Sequence, residues 1–175
     1  MSLPIVDIEK SLKRGRLVFK LTGSYIFTTL LIYLAVLILI AVFAGALLNP
    51  KISHPPAVTI ISSLIFLWLI ANLVLTNSLV KIEGKDIASN RANMKDYLES
   101  FYSDIDLQPG EQRMIRNFKP IGWLNWGRII TVIFDENSMY INITTLGRGN
   151  SASPFHGLVN YLKCRRIAAR QKNVL

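Results

Sequence analysis

The chain has 175 residues, with 20 Lys+Arg against 11 Asp+Glu and a formal charge of +9. Half of it (51%) is apolar, mean hydropathy is +0.35, and there is a single cysteine. These figures exclude a disordered chain, a disulfide scaffold and a multi-domain enzyme.

Residues 1–21 form a basic amphipathic arm. Ile5, Ile8, Leu12, Leu17 and Phe19 are interspersed with Lys10, Lys13, Arg14, Arg16 and Lys20. Such an arm either lies flat on an anionic leaflet or serves as a basic topological anchor.

Two charge-free runs follow. Between Lys20 and Lys51 lie 30 residues without a formal charge, and between Lys51 and Lys81 another 29, with His54 counted neutral. About 20 apolar residues cross a hydrocarbon core of roughly 30 Å. The runs therefore predict two transmembrane helices, Tyr25–Leu48 and Ala57–Val80, within a hairpin spanning residues 22–81. The first run is about twice the length of a signal-peptide core of about 7–15 residues. The link Asn49-Pro50-Lys51-Ile52-Ser53-His54-Pro55-Pro56 breaks helices on both sides. Nine basic residues flank the pair within residues 1–20 and 81–100, against Lys51 alone in the link. By the positive-inside rule, both termini should be cytoplasmic in a multi-pass protein of a bacterial inner (plasma) membrane. The Asn142-Ile143-Thr144 acceptor pattern is then chemically silent.

Neither span carries Asp, Glu, Lys, Arg or His, which argues against a proton relay or an ion path. Ala41 and Gly45 form a small-xxx-small pair, and Asn72 and Asn77 are the only amides in the second span. These four are the helix-packing candidates, within the hairpin or between copies.

Residues 82–175 predict a small cytoplasmic α+β domain. Met94, Tyr97, Leu98 and Phe101 give a helix over Ile87–Ser103. Residues 104–110 read as a loop, and a short strand is expected near Arg113–Phe118. Arg128–Phe134 and Met139–Leu146, joined by Asp135-Glu136-Asn137-Ser138, form an antiparallel β-hairpin. Gly147–His156 is a loop in which Ser153 caps a closing helix, Leu158–Gln171.

The search for chemistry yields little. Cys164 lies among Lys163, Arg165 and Arg166, but its one candidate base is His156, and no oxyanion-type glycine pattern accompanies them. Asp104 and Asp106 open like a calcium loop but lack its glycine and distal glutamate, so no metal site is expected. Gly147–Ser151 is neither a P-loop nor a dinucleotide fingerprint, and no cofactor is expected.

Two surfaces are suited to the bilayer. Trp123 and Trp126, between Lys119 and Arg128, either seat at the membrane interface or plug the sheet. Lys163, Arg166 and Arg170 share one helical face, and with Arg148 they are candidates for anionic headgroups. No nucleic-acid motif appears. The expectation is a non-enzymatic integral inner-membrane protein. Its basic module would bind lipid headgroups, a protein partner or further copies of itself, as an accessory subunit of a membrane assembly. An oligomeric pore or transporter subunit, with Asn72 and Asn77 lining a passage, and an enzyme using Cys164 or the Gly147–Ser151 loop, are the alternatives.

Overall fold

The structure is a computed structural model. It describes residues 5–20, 30–31, 34–38, 41–42, 44–45, 56–102, 106–108, 112–121, 126–147 and 152–172.

A five-stranded, fully antiparallel sheet organises the chain. Its strands are β1 (Val80–Glu83), β2 (Asp106–Gln108), β3 (Met114–Lys119), β4 (Gly127–Asp135) and β5 (Ser138–Leu146), in the spatial order β1-β5-β4-β3-β2. The β4–β5 hairpin occupies the predicted segments. Asp135 pairs with Ser138 beside the turn, and Gly127 pairs with Leu146 at the far end. Period-2 alternation then sorts the side chains. Ile130, Val132 and Phe134 on β4 join Met139, Ile141 and Ile143 on β5, with Ile82 and Ile115, on one face.

Two helices cover that face. The first, Ile87–Phe101, is capped by Asp86, whose carboxylate accepts the Ser89 N–H at 2.9 Å, and it contributes buried Met94 and Leu98. The second, Gly157–Lys172, contributes Cys164 and Ile167. β1 was not foreseen, because the apolar run was read as helix through Val80. The helix stops at Leu75, and Val80–Glu83 pairs with β5 instead.

The arm packs on the opposite face. Asp7 caps a short helix, Ile8–Arg14, which Gly15 closes in the left-handed conformation at φ 61°, the role glycine fills without a Cβ penalty. The buried Ser11 hydroxyl accepts the Val18 N–H at 2.8 Å and folds the chain back on itself. Val6 and Leu17 are then buried against Ile133, with Ile8, Leu12, Phe19, Leu79, Met114 and Tyr140 around them. Apart from the exposed Ile5, the arm's described apolar residues are thus packed on the sheet rather than left for a leaflet. The Leu17 N–H donates to the Asn77 carbonyl at 2.7 Å, which ties the arm to the turn that follows the long apolar helix.

In chain order the helices are named α1 (Ile8–Arg14), α2 (Pro56–Leu75), α3 (Ile87–Phe101) and α4 (Gly157–Lys172). The expected two-helix transmembrane hairpin with an appended domain requires correction. Among the described residues, α2 alone is long and apolar enough to cross a membrane. Its 20 residues span about 30 Å. In the first charge-free run, the described residues between 30 and 45 are helical, and the rest of the predicted Tyr25–Leu48 span lies outside the described residues. The multi-pass arrangement is therefore not supported. Most of the described chain belongs to an α+β body that also incorporates the arm.

Candidate functional site at the junction of α2 and the body

α2 has no polar face. Ser62, Leu69 and Asn72 are its buried residues, while nine of its large apolar side chains, Val58 to Val74, are between 38% and 61% exposed. One side of α2, along Ser62, Leu69 and Asn72, is thus covered, while the side bearing these apolar side chains is exposed; among the described residues it meets the body through its C-terminal half, at Trp68 and Asn72.

That meeting is built from polar groups in an apolar setting. A helix leaves its last carbonyls and first N–H groups without intrahelical partners. Here two such ends abut and two asparagines satisfy them. Asn72 is fully buried; its Oδ1 accepts the Leu158 N–H at 3.0 Å, so a residue of α2 caps the N-terminus of α4. Its Nδ2 donates to the Trp68 carbonyl at 2.8 Å, which fixes the amide's orientation. Ser153, expected to be the cap, instead pairs its hydroxyl with His156 Nδ1 at 2.7 Å. Past the end of α2, the carbonyls of Thr76 and Ser78 accept from Asn142 Nδ2 at 3.1 and 2.9 Å. The Thr144 hydroxyl donates to Asn142 Oδ1 at 2.8 Å and aims that amide at α2. Asn142 also belongs to a buried row across the sheet, Arg116–Thr131–Asn142, in direct cross-strand register. Burial lowers the Arg116 guanidinium below its usual value.

Gly157 lets the two helices close. A Cβ there would collide with the Asn72 carbonyl oxygen and sit 2.7 Å from Thr76 Oγ1 and 2.8 Å from Thr76 N. Around this polar centre lies an aromatic collar. Trp68 stacks on Phe155 at 6.2 Å between ring centroids, and Trp126 leans on His156 at 5.1 Å. Burial, then the nearby Lys163, holds the His156 imidazole below its ordinary pKa.

The expected site residues fall as follows. Asn72 belongs to the junction, tied to α4 rather than facing a passage. Asn77 lies in the turn after α2, where its carbonyl holds the arm. Ala41 and Gly45 are exposed, and among the described residues nothing lies within 4 Å of a Cβ built on Gly45. Trp126 is 56% exposed, so it does not plug the sheet. Trp123 and Arg148 lie outside the described residues. Lys119 and Arg128 face each other across β3 and β4, and the Arg128 guanidinium sits 5.5 Å from the centre of the Tyr102 ring. Lys163, Arg166 and Arg170 are exposed along α4, with Arg170 at 5.7 Å over Phe101.

Cys164 and His156 are not brought together. Eight residues of helix separate them by about 12 Å of rise. Cys164 faces the core, where burial pushes its thiol up to about 12, a value unsuited to a thiolate nucleophile. The junction was missed in the sequence because Asn142 and Thr144 were read only as a silent acceptor pattern and Gly157 carries no motif. Asn72, an amide in an apolar run, was the one visible signal.

No family model matches the chain, and no curated protein or solved structure matches it.

Proposed function

We propose that this protein is a non-enzymatic, membrane-anchored accessory module. α2 is embedded in a bilayer, and the junction holds the basic α+β body against the cytoplasmic surface of that bilayer. The observation that carries the reading is the exposed apolar side of α2, with nine large apolar side chains between Val58 and Val74. In water, that much contiguous apolar surface drives association; in a bilayer it is matched to its solvent. The arm and the strands share one core, which favours a single side of the membrane for residues 5–20 and for those after α2. The excess of basic residues on these flanks favours the cytoplasmic side, as in an inner membrane.

A flexible tether would need no buried asparagines at its root. Two capped helix ends and a glycine contact make the body move with the helix. That suits a protein that presents a surface at a set height above the lipid, for headgroups or for a larger assembly. The pore reading is weakened at Asn72, since both functional groups of that amide are engaged inside the junction. The test is fractionation of the full chain from cells. It should resist alkaline carbonate and leave the membrane only with detergent. Recovery of the intact chain in the aqueous fraction would refute the proposal.

A further inference from the structure

α4 carries a second surface that extends outward from the junction. At about 100° per residue, Gly157, Asn160, Cys164, Ile167 and Gln171 face the sheet and are buried. The opposite side begins with Phe155 just before the helix and continues through Val159 and Leu162, all close to half exposed. Further along, the same side turns to Arg166 and Arg170, with Lys163 and Arg165 beside them, all exposed. The helix contains five basic residues and no acidic one.

Single exposed aliphatics mean little. These, however, continue an existing apolar surface. Phe155 stacks on Trp68 of α2, and the exposed Trp126 is joined to the same end through His156. The apolar half of α4 therefore starts against the anchor, and the basic half follows it. This is the division an interfacial helix needs: side chains at the headgroup–acyl boundary on one part, cations among phosphates on the next.

We infer that the outward face of α4 lies in the bilayer interface, with Phe155, Val159 and Leu162 in the headgroup–acyl boundary and Lys163, Arg166 and Arg170 on anionic lipid phosphates. The inference rests on the anchoring of α2 proposed above. It adds that the body is docked on anionic lipid as well as attached at one point. Charge complementarity and continuity with α2 select lipid over a protein occupant.

The experiment uses the full chain in vesicles. An environment-sensitive fluorophore is placed at Leu162→Cys and, in a second variant, at Val159→Cys. The buried Cys164 can remain, because it is shielded from the label. A control label at Glu136→Cys occupies the β4–β5 turn, at the opposite end of the hairpin from Leu146. In vesicles of phosphatidylcholine with phosphatidylglycerol, labels at 159 and 162 should shift to the blue and be quenched by lipid-borne nitroxide, while the label at 136 should do neither. Each basic residue near an anionic surface shifts the docked fraction about fivefold. Lys163→Glu with Arg166→Glu should therefore lower the ratio of docked to undocked body about 25-fold or more.

Flotation of the chain with vesicles while both labels emit as in water overturns docking but leaves the anchor intact. Shielding that is equal in detergent and indifferent to lipid charge means protein covers the face, and it overturns docking as well. Failure to float removes the anchor and the docking together.

Discussion

Replacing Asn72 by Leu separates the two roles of the second half of α2. The substitution is close in volume and makes the helix more apolar, so membrane association should hold or strengthen. The body should suffer. The Leu158 N–H, now 3.0 Å from Asn72 Oδ1, would lose its acceptor. Loss of an N-cap costs about 0.5–2 kcal/mol, and a buried donor left unpaired about 1–3 kcal/mol. These describe the same N–H, so they overlap, and about 2 kcal/mol is the expected total. For a body of roughly 100 residues, that lowers the melting temperature by about 10 °C. It also speeds amide exchange in the first turn of α4 by about 30-fold, at about 1.4 kcal/mol per tenfold. The assay is thermal unfolding and hydrogen exchange of the full chain in nanodiscs. The control is Ser63→Ala, on the exposed side of α2, where the hydroxyl only returns to the Thr59 carbonyl at 2.9 Å. If Asn72→Leu melts with the parent and α4 keeps its protection, the capping argument is wrong. Equal damage from both variants would also refute it.

Gly157→Ala should destabilise the body by about 1–3 kcal/mol, since the new methyl meets backbone atoms of α2 that cannot rotate away; calorimetry of the reconstituted chain checks this. Leu17→Ala should cost about 2–5 kcal/mol by opening a cavity under the arm, and limited proteolysis should then cut within residues 5–20 while the strands resist. Cys164 should resist iodoacetamide in the folded protein at neutral pH and react on unfolding. Its folded-state pKa is raised from 9.0 to about 12, so its contribution to stability is present below pH 9 and is lost as pH rises from there toward 12. A native chain alkylated as fast as a free thiol would contradict the buried placement. His156 runs the other way. Its pKa is lowered from 6.5, so its contribution is present above that value and is lost as pH falls through the folded-state pKa. Protonation at the N-terminal end of α4 also opposes the helix dipole. Acidification should therefore loosen the Trp126–His156 contact, read as a change in tryptophan emission that His156→Gln abolishes.

Local pattern was legible from the sequence where one segment carries the whole signal. The β4–β5 hairpin follows from alternation either side of Asp135–Ser138, and α3 from the spacing of Met94, Tyr97, Leu98 and Phe101. α4 and the charge-free length around α2 were equally visible, because burial against one sheet face, or none at all, leaves a periodic or uniform mark. Tertiary structure decided the rest. Val80–Glu83 continues an apolar run and becomes a strand only because β5 offers an edge some 60 residues away. The arm's Val6 and Leu17 would suit a leaflet as well as a sheet, and Ile133 and Tyr140 take them because α3 and α4 cover only the other face. Asn72 reads alone as a bilayer amide. Its role appears only when the open end of α4 is brought beside it, since a capping bond across 86 residues depends on where two surfaces meet rather than on the order of residues in either one.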